Sequence, residues 1–77
     1  MSKVAIVTGG GRGIGAATAK LLGKKGYAVC VNYLANRGRA NDVVDAIVLN
    51  GGRAFAYQAD VSSEADVIRL FMCIDLF

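Results

Sequence analysis

The sequence predicts an α/β fold with a parallel sheet, its elements running strand, helix, strand, helix, strand, helix. Three observations carry that reading. Three short apolar runs alternate with three stretches whose apolar residues recur at helical spacing. Clusters rich in glycine, asparagine or serine separate most of these segments. Such alternation implies right-handed βαβ crossovers, because a strand feeding a helix packs back onto its own sheet only that way.

The first run, Lys3 to Thr8, is short and rich in β-branched residues, and Gly9-Gly10-Gly11 bounds it. It is continuous rather than alternating, as suits a strand covered on both faces. Ile14, Ala17, Thr18, Leu21 and Leu22 then form an amphipathic stripe. Lys24 and Lys25 suit the last turn of that helix, and Gly26 suits its stop. Ala28 to Val31 reads as the second strand and Asn36 to Gly38 as a loop. The second helical stripe is Ala40, Val43, Val44, Ile47 and Val48, closed by Asn50-Gly51-Gly52. Ala54 to Ala59 is the third strand. Ser62 and Ser63 offer helix caps, and Ser63 with Asp66 has capping-box spacing. Val67, Leu70, Phe71 and Ile74 open a third helix, while Ile68, Met72, Cys73, Leu76 and Phe77 add apolar residues on its other sides.

With 77 residues the chain holds at most one small domain. Hydrophobic residues make up 55% and charged residues 19%, more apolar than a small domain needs, which suggests a piece of something larger. No apolar run approaches the roughly 18 residues of a membrane span, and a glycine loop rather than a cleavage site follows the first run. A cytoplasmic protein with no membrane partner is the expectation. Cys30 and Cys73 sit in apolar surroundings and read as reduced core thiols. With no histidine and no Cys-x-x-Cys, a structural metal site has almost nothing to build on. The net charge of +3 is unevenly spread. Lys3, Arg12, Lys20, Lys24, Lys25, Arg37 and Arg39 precede the first acid, Asp42. A positive half suits an anionic ligand. There is no basic run and no alternation of aromatic with basic residues to suggest nucleic acid.

The informative stretch is Thr8-Gly9-Gly10-Gly11-Arg12-Gly13-Ile14-Gly15, between a predicted strand and a predicted helix. A helix N-terminus presents unsatisfied N–H groups and the positive end of its dipole, so it holds a pyrophosphate. Glycines permit the tight turn and let backbone approach the phosphates. A P-loop is excluded because Ala16, not Lys, follows Gly15. Gly11-x-Gly13-x-x-Ala16 also fits the general Rossmann pattern. The fold class is therefore the N-terminal half of a Rossmann-type doubly wound parallel sheet, truncated.

Thr8-Gly9-x-x-x-Gly13-Ile14-Gly15 resembles the cofactor motif of the short-chain dehydrogenase/reductase family, and Asp60-Val61 resembles that family's adenine-contacting Asp-Val. The resemblance spans essentially the whole chain and is nearest in look to the 3-oxoacyl-acyl-carrier-protein reductase and glucose dehydrogenase branch. It implies that Gly9, Gly13 and Gly15 form the phosphate loop, with the Ile14 backbone N–H on the pyrophosphate. It implies that Asp60 accepts from the adenine amino group and that Val61 lines the adenine pocket. Asp60 also reads as a plain helix-preceding acid beside Ser62.

An NAD site places an acid on the ribose 2′-OH about 20 residues past the glycines. Here Val31-Asn32-Tyr33 hold that place, and no acid occurs before Asp42. The charge pattern favours NADP over NAD. Arg12 and Arg37 are candidates for the 2′-phosphate, for which a guanidinium fork is suited, and Asn32 is a candidate neutral hydrogen bond. Arg37 reads nearly as well as a plain surface arginine.

The resemblance implies a hydride-transferring oxidoreductase acting on a small carbonyl or alcohol, whose full-length form is a homo-oligomer. The family's Tyr-x-x-x-Lys has no match: Tyr27 leads to Val31, Tyr33 to Arg37 and Tyr57 to Val61. No catalytic residue is assigned within these 77 residues, which read as a partial NAD(P)-binding domain, inactive alone. A non-catalytic dinucleotide-binding module and a truncated, non-functional product are the alternatives. The expected strand order is 3-2-1, with the first strand an exposed apolar edge.

Overall fold

The computed structural model describes residues 3–9 and 13–76. Its elements are β1 (Val4–Thr8), α1 (Gly13–Lys24), β2 (Ala28–Tyr33), α2 (Arg37–Leu49), β3 (Arg53–Gln58) and α3 (Glu64–Leu76). The three strands are parallel in the order β1-β2-β3, with Thr8, Asn32 and Tyr57 in register at their carboxyl ends. The chain is thus the N-terminal half of a Rossmann-type sheet, with the strand order its sequence predicts.

β2 is the central strand, and all six of its residues are buried. Its two faces serve two cores, because side chains alternate across a strand. Val29, Val31 and Tyr33 point to the side covered by α1 and α2, where they pack with Val7, Ala19, Ala40, Val43 and Ile47. Cys30 points to the other side and meets Ala59 and Leu70, with Ile6, Phe55, Tyr57 and Ile74 around them. β2 runs two residues further than its apolar stretch suggests, because Asn32 and Tyr33 are buried as well.

The helices depart from the predicted stripes in instructive ways. α2 buries Ala40, Val43 and Ile47 as expected, with Val44 partly covered, while Val48 is exposed. On α1 the expected stripe is not the packed face. Ile14 and Leu21 are 87% and 53% exposed, whereas Ala19 and Gly23 are buried, with Ala16 and Leu22 packed beside them. Close packing, against Ile47 of α2 at Gly23, selects the small residues. On α3, Leu70 is buried and Val67 and Ile74 half-buried, but Phe71, expected on the same face, is exposed together with Ile68 and Met72.

Residues 37 and 38, expected in a loop, form the first turn of α2. The cause is local: Asn36 is the N-cap, and its side-chain oxygen accepts from the Arg39 N–H at 3.1 Å. The predicted box at α3 is rearranged. The Asp66 N–H donates to Ser63 Oγ at a long 3.4 Å, but the Asp66 carboxylate accepts from the Asp60 N–H, not from Ser63. No helix among the described residues is long and apolar enough to cross a membrane, and no cluster of three potential ligands among them could hold a metal ion.

Candidate functional site

Among the described residues a crevice lies at the carboxyl ends of the strands. It has a volume of about 290 Å³ and is lined by Thr8, Gly9, Asn32, Leu34, Ala59, Asp60 and Val61. In open α/β sheets ligands bind at this end, where the strands feed into loops. The crevice therefore gathers Gly9, Asn32, Asp60 and Val61, four residues singled out in the sequence, from the ends of all three strands.

Gly9 and Gly13 frame the turn from β1 to α1, and both have left-handed backbone, with φ of 63° and 47°. A Cβ at either would meet no atom within 4 Å. Glycine is required there by conformation rather than by space. Gly13, Ile14 and Gly15 form the first turn of α1. The N–H groups of a first turn have no partner within the helix, so this turn offers donors to an anion. The Ile14 side chain on this turn is largely exposed. Gly10, Gly11 and Arg12 lie outside the described residues, and so does the expected contribution of Arg12.

Asn32 is 3% exposed and ties β2 to β3. Its amide donates to the carbonyls of Tyr57 at 3.2 Å and Ala59 at 3.1 Å. The Ala59 N–H in turn donates to the Tyr33 carbonyl at 3.0 Å. An amide with both N–H groups spent on carbonyls meets a ligand through its acceptor oxygen.

The loop from β3 to α3 is held by side chains. Asp60 Oδ1 accepts from the Ser62 N–H at 2.9 Å and the Ser62 hydroxyl at 2.6 Å. The Asp60 N–H is bound at 2.9 Å by the Asp66 carboxylate, which also pairs with Arg69. The two bonds from Ser62 hold the Asp60 carboxyl below its ordinary range, the hydroxyl contributing most, against some opposition from burial and from Asp66. Asp66 is held low chiefly by the Asp60 N–H, then by Arg69. Asp60 is thus ionised and acceptor-only at neutral pH.

Arg37 is exposed in the first turn of α2, and its Nε donates to the Tyr33 hydroxyl at 3.0 Å. That bond, with a Coulombic contribution from the phenol, raises the Arg37 pKa against a small cost of desolvation. Arg37 is not among the residues lining the crevice; it is tied instead to the last residue of β2. Sequence reasoning did not single out Thr8, Leu34 and Ala59 as walls, Ser62 and Asp66 as supports, or Tyr33 as the partner of Arg37. Three residues separate Tyr33 from Arg37, and the stretch crosses a strand end, a loop and a cap, so no periodicity marks the pair.

Comparison with known proteins agrees with this geometry. The profile of the short chain dehydrogenase family matches residues 3–75. The uncharacterized oxidoreductase YgfF of Escherichia coli (strain K12) is 51% identical over 72 residues, covering 94% of this chain and 29% of YgfF. The short-chain dehydrogenase/reductase homolog YusS of Bacillus subtilis (strain 168) is 46% identical over 74 residues, covering 96% of this chain and 68% of YusS. A metagenomic short-chain oxidoreductase crystallised in complex with NADP superposes with a TM-score of 0.87 at 33% identity, over 94% of this chain and 32% of that one. The chain thus spans less than a third of the length of YgfF. Matched along nearly its whole length by profile, sequence and fold, the chain belongs to the short-chain dehydrogenase/reductase family.

Proposed function

We propose that these residues are the dinucleotide-binding part of an NADP-dependent oxidoreductase that interconverts carbonyl and alcohol groups. The observation that carries the reading is the crevice at the strand ends, where the turn holding Gly9 meets the ionised Asp60. The bound dinucleotide supplies or accepts the hydride. The chain's own residues bind and orient. The first turn of α1, with the Ile14 N–H, takes the pyrophosphate. Asp60 accepts from the adenine amino group through its second oxygen, and Val61 and Leu34 wall the adenine. Asn32 fixes the distance between the β2 and β3 ends of the pocket. Arg37, held at the end of β2 by Tyr33, is the residue for the 2′-phosphate.

The preference for NADP rests on charge. No carboxylate stands at the end of β2, where one would repel a 2′-phosphate. We assign no catalytic group to these residues; 1–77 form part of a larger NAD(P)-binding domain, and the group that protonates the carbonyl oxygen comes from the rest of the protein. Titration of the protein carrying this chain with NADPH and NADH, followed by nicotinamide fluorescence, tests the reading. Saturable binding with NADPH the tighter is expected, as is NADPH-dependent reduction of a small ketone. Binding of neither dinucleotide sinks it, and binding without turnover of any carbonyl points to a binding module instead.

A further inference from the structure

Tyr33 links the sheet to the first turn of α2, and nothing in its type announces that. It is the last residue of β2 and the 20th residue after Gly13. About 20 residues past the glycines is where an NAD site carries its carboxylate. Tyr33 is only 9% exposed, its ring packed in the core between the sheet and α1 and α2. Its hydroxyl accepts from Arg37 Nε at 3.0 Å.

We propose that Tyr33 is a positioning residue for the 2′-phosphate of NADP, acting by holding the Arg37 guanidinium at the end of β2; this rests on the dinucleotide-binding reading above. An exposed arginine on a first helical turn has several rotatable bonds and loses rotamer entropy when it is fixed. A ring locked in a core has already lost its own freedom, so its hydroxyl is a rigid anchor. The bond engages Nε and leaves the two Nη groups as a fork, the geometry that matches two oxygens of a phosphate. The tether removes part of the ordering cost that binding otherwise incurs. The same side chain also fills the place of the acid that would repel the phosphate. A single tyrosine therefore acts twice in favour of NADP, once by what it excludes and once by what it aims.

The test compares NADP with NAD, and adenosine 2′,5′-bisphosphate with AMP, pairs that differ only in the 2′-phosphate. Dissociation constants are measured by calorimetry on the protein carrying this chain, on Tyr33→Phe, on Arg37→Ala and on the double variant. Tyr33→Phe keeps the ring and so the core; a loss of fold would weaken both members of each pair alike. The expected result is an affinity for NADP and the bisphosphate about fivefold weaker in Tyr33→Phe, the scale of one modest hydrogen bond, with NAD and AMP unchanged. Arg37→Ala loses more, and adding Tyr33→Phe to it loses nothing further. Unaltered selectivity in Tyr33→Phe, an equal loss for both members of a pair, or additive losses in the double variant overturns the proposal while leaving the dinucleotide site standing. Failure of the unaltered protein to bind any of the four ligands overturns the underlying reading itself.

Discussion

The Cγ2 methyl of Ile47 lies 2.8 Å from where a Cβ on Gly23 would stand, so α1 and α2 meet at a position that admits no side chain. The same methyl is 2.8 Å from a Cβ built on Gly52, at the entry to β3. Ile47 is 3% exposed and has no room to retreat. Gly23→Ala gains helix propensity of up to about 1 kcal/mol but overpacks a close contact at about 1–3 kcal/mol. The expected net effect is destabilisation by about 1 kcal/mol, read as a lower denaturant midpoint. Ile47→Val keeps Cγ2 and should not rescue it, whereas in Ile47→Ala the alanine at 23 should cost nothing further. A stabilised Gly23→Ala would show that the helices separate freely.

That contact also explains which parts of the fold were legible. The order of elements, the parallel sheet and the packed face of α2 follow from periodicity because their buried residues are large. The packed face of α1 does not, because Ala19 and Gly23 are chosen for close approach, while the larger Ile14 and Leu21 are exposed. In the site, Gly9, Asp60 and Val61 carry their own chemistry in type and spacing. Asp66 and Tyr33 work through hydrogen bonds to residues in other segments of the fold, a relation that only three dimensions bring about.

Cys30 predicts an alkaline limit to stability. It is fully buried, and that burial, with some help from Cys73, pushes its thiol from 9.0 to about 12. Between those values the unfolded chain releases the proton and the folded chain keeps it. The contribution is intact below pH 9 and is lost as pH climbs toward 12, by up to about 1.4 kcal/mol per pH unit. Unfolding free energies measured from pH 8 to 10.5 should fall over the upper part of that range, and less steeply in Cys30→Ala. Cys30 should also resist a thiol reagent until the chain opens. Prompt labelling of Cys30 in the folded protein would contradict this.

The loop that carries Asp60 predicts an acid limit of the opposite sign. Asp60 and Asp66 are both held below the usual carboxylate value of 3.8 by their hydrogen bonds. Their contribution is present above that value and is lost as pH falls through the lower folded values. Asp66→Asn weakens the hold on the Asp60 N–H, so it should flatten the acid limb of stability and loosen adenine binding together. Ser63→Ala removes only the long cap to Asp66 and should cost about 0.5 kcal/mol, the low end for such a cap. The measurement is a pH series of thermal melts with dinucleotide binding at neutral pH. Normal binding by Asp66→Asn would mean that Ser62 alone fixes Asp60.

β1 predicts how the 77 residues behave when they are studied on their own. Among the described residues it pairs only with β2, which leaves one row of its backbone groups open, and Val4-Ala5-Ile6-Val7-Thr8 carries no charge to blunt that edge. Exposed Ile14 and Leu21 on α1, and Ile68, Phe71 and Met72 on α3, add apolar surface outside the two cores. An uncharged edge with apolar surface on the same small unit favours pairing between copies over solvation. The isolated 77 residues should therefore sediment as oligomers that grow with concentration. Val4→Lys puts a charge on the strand where Val4 is already 36% exposed, and it should raise the concentration at which association begins. A monodisperse monomer that melts cooperatively would show instead that this half of the sheet is a self-sufficient folding unit, with β2 and its two cores enough to hold it.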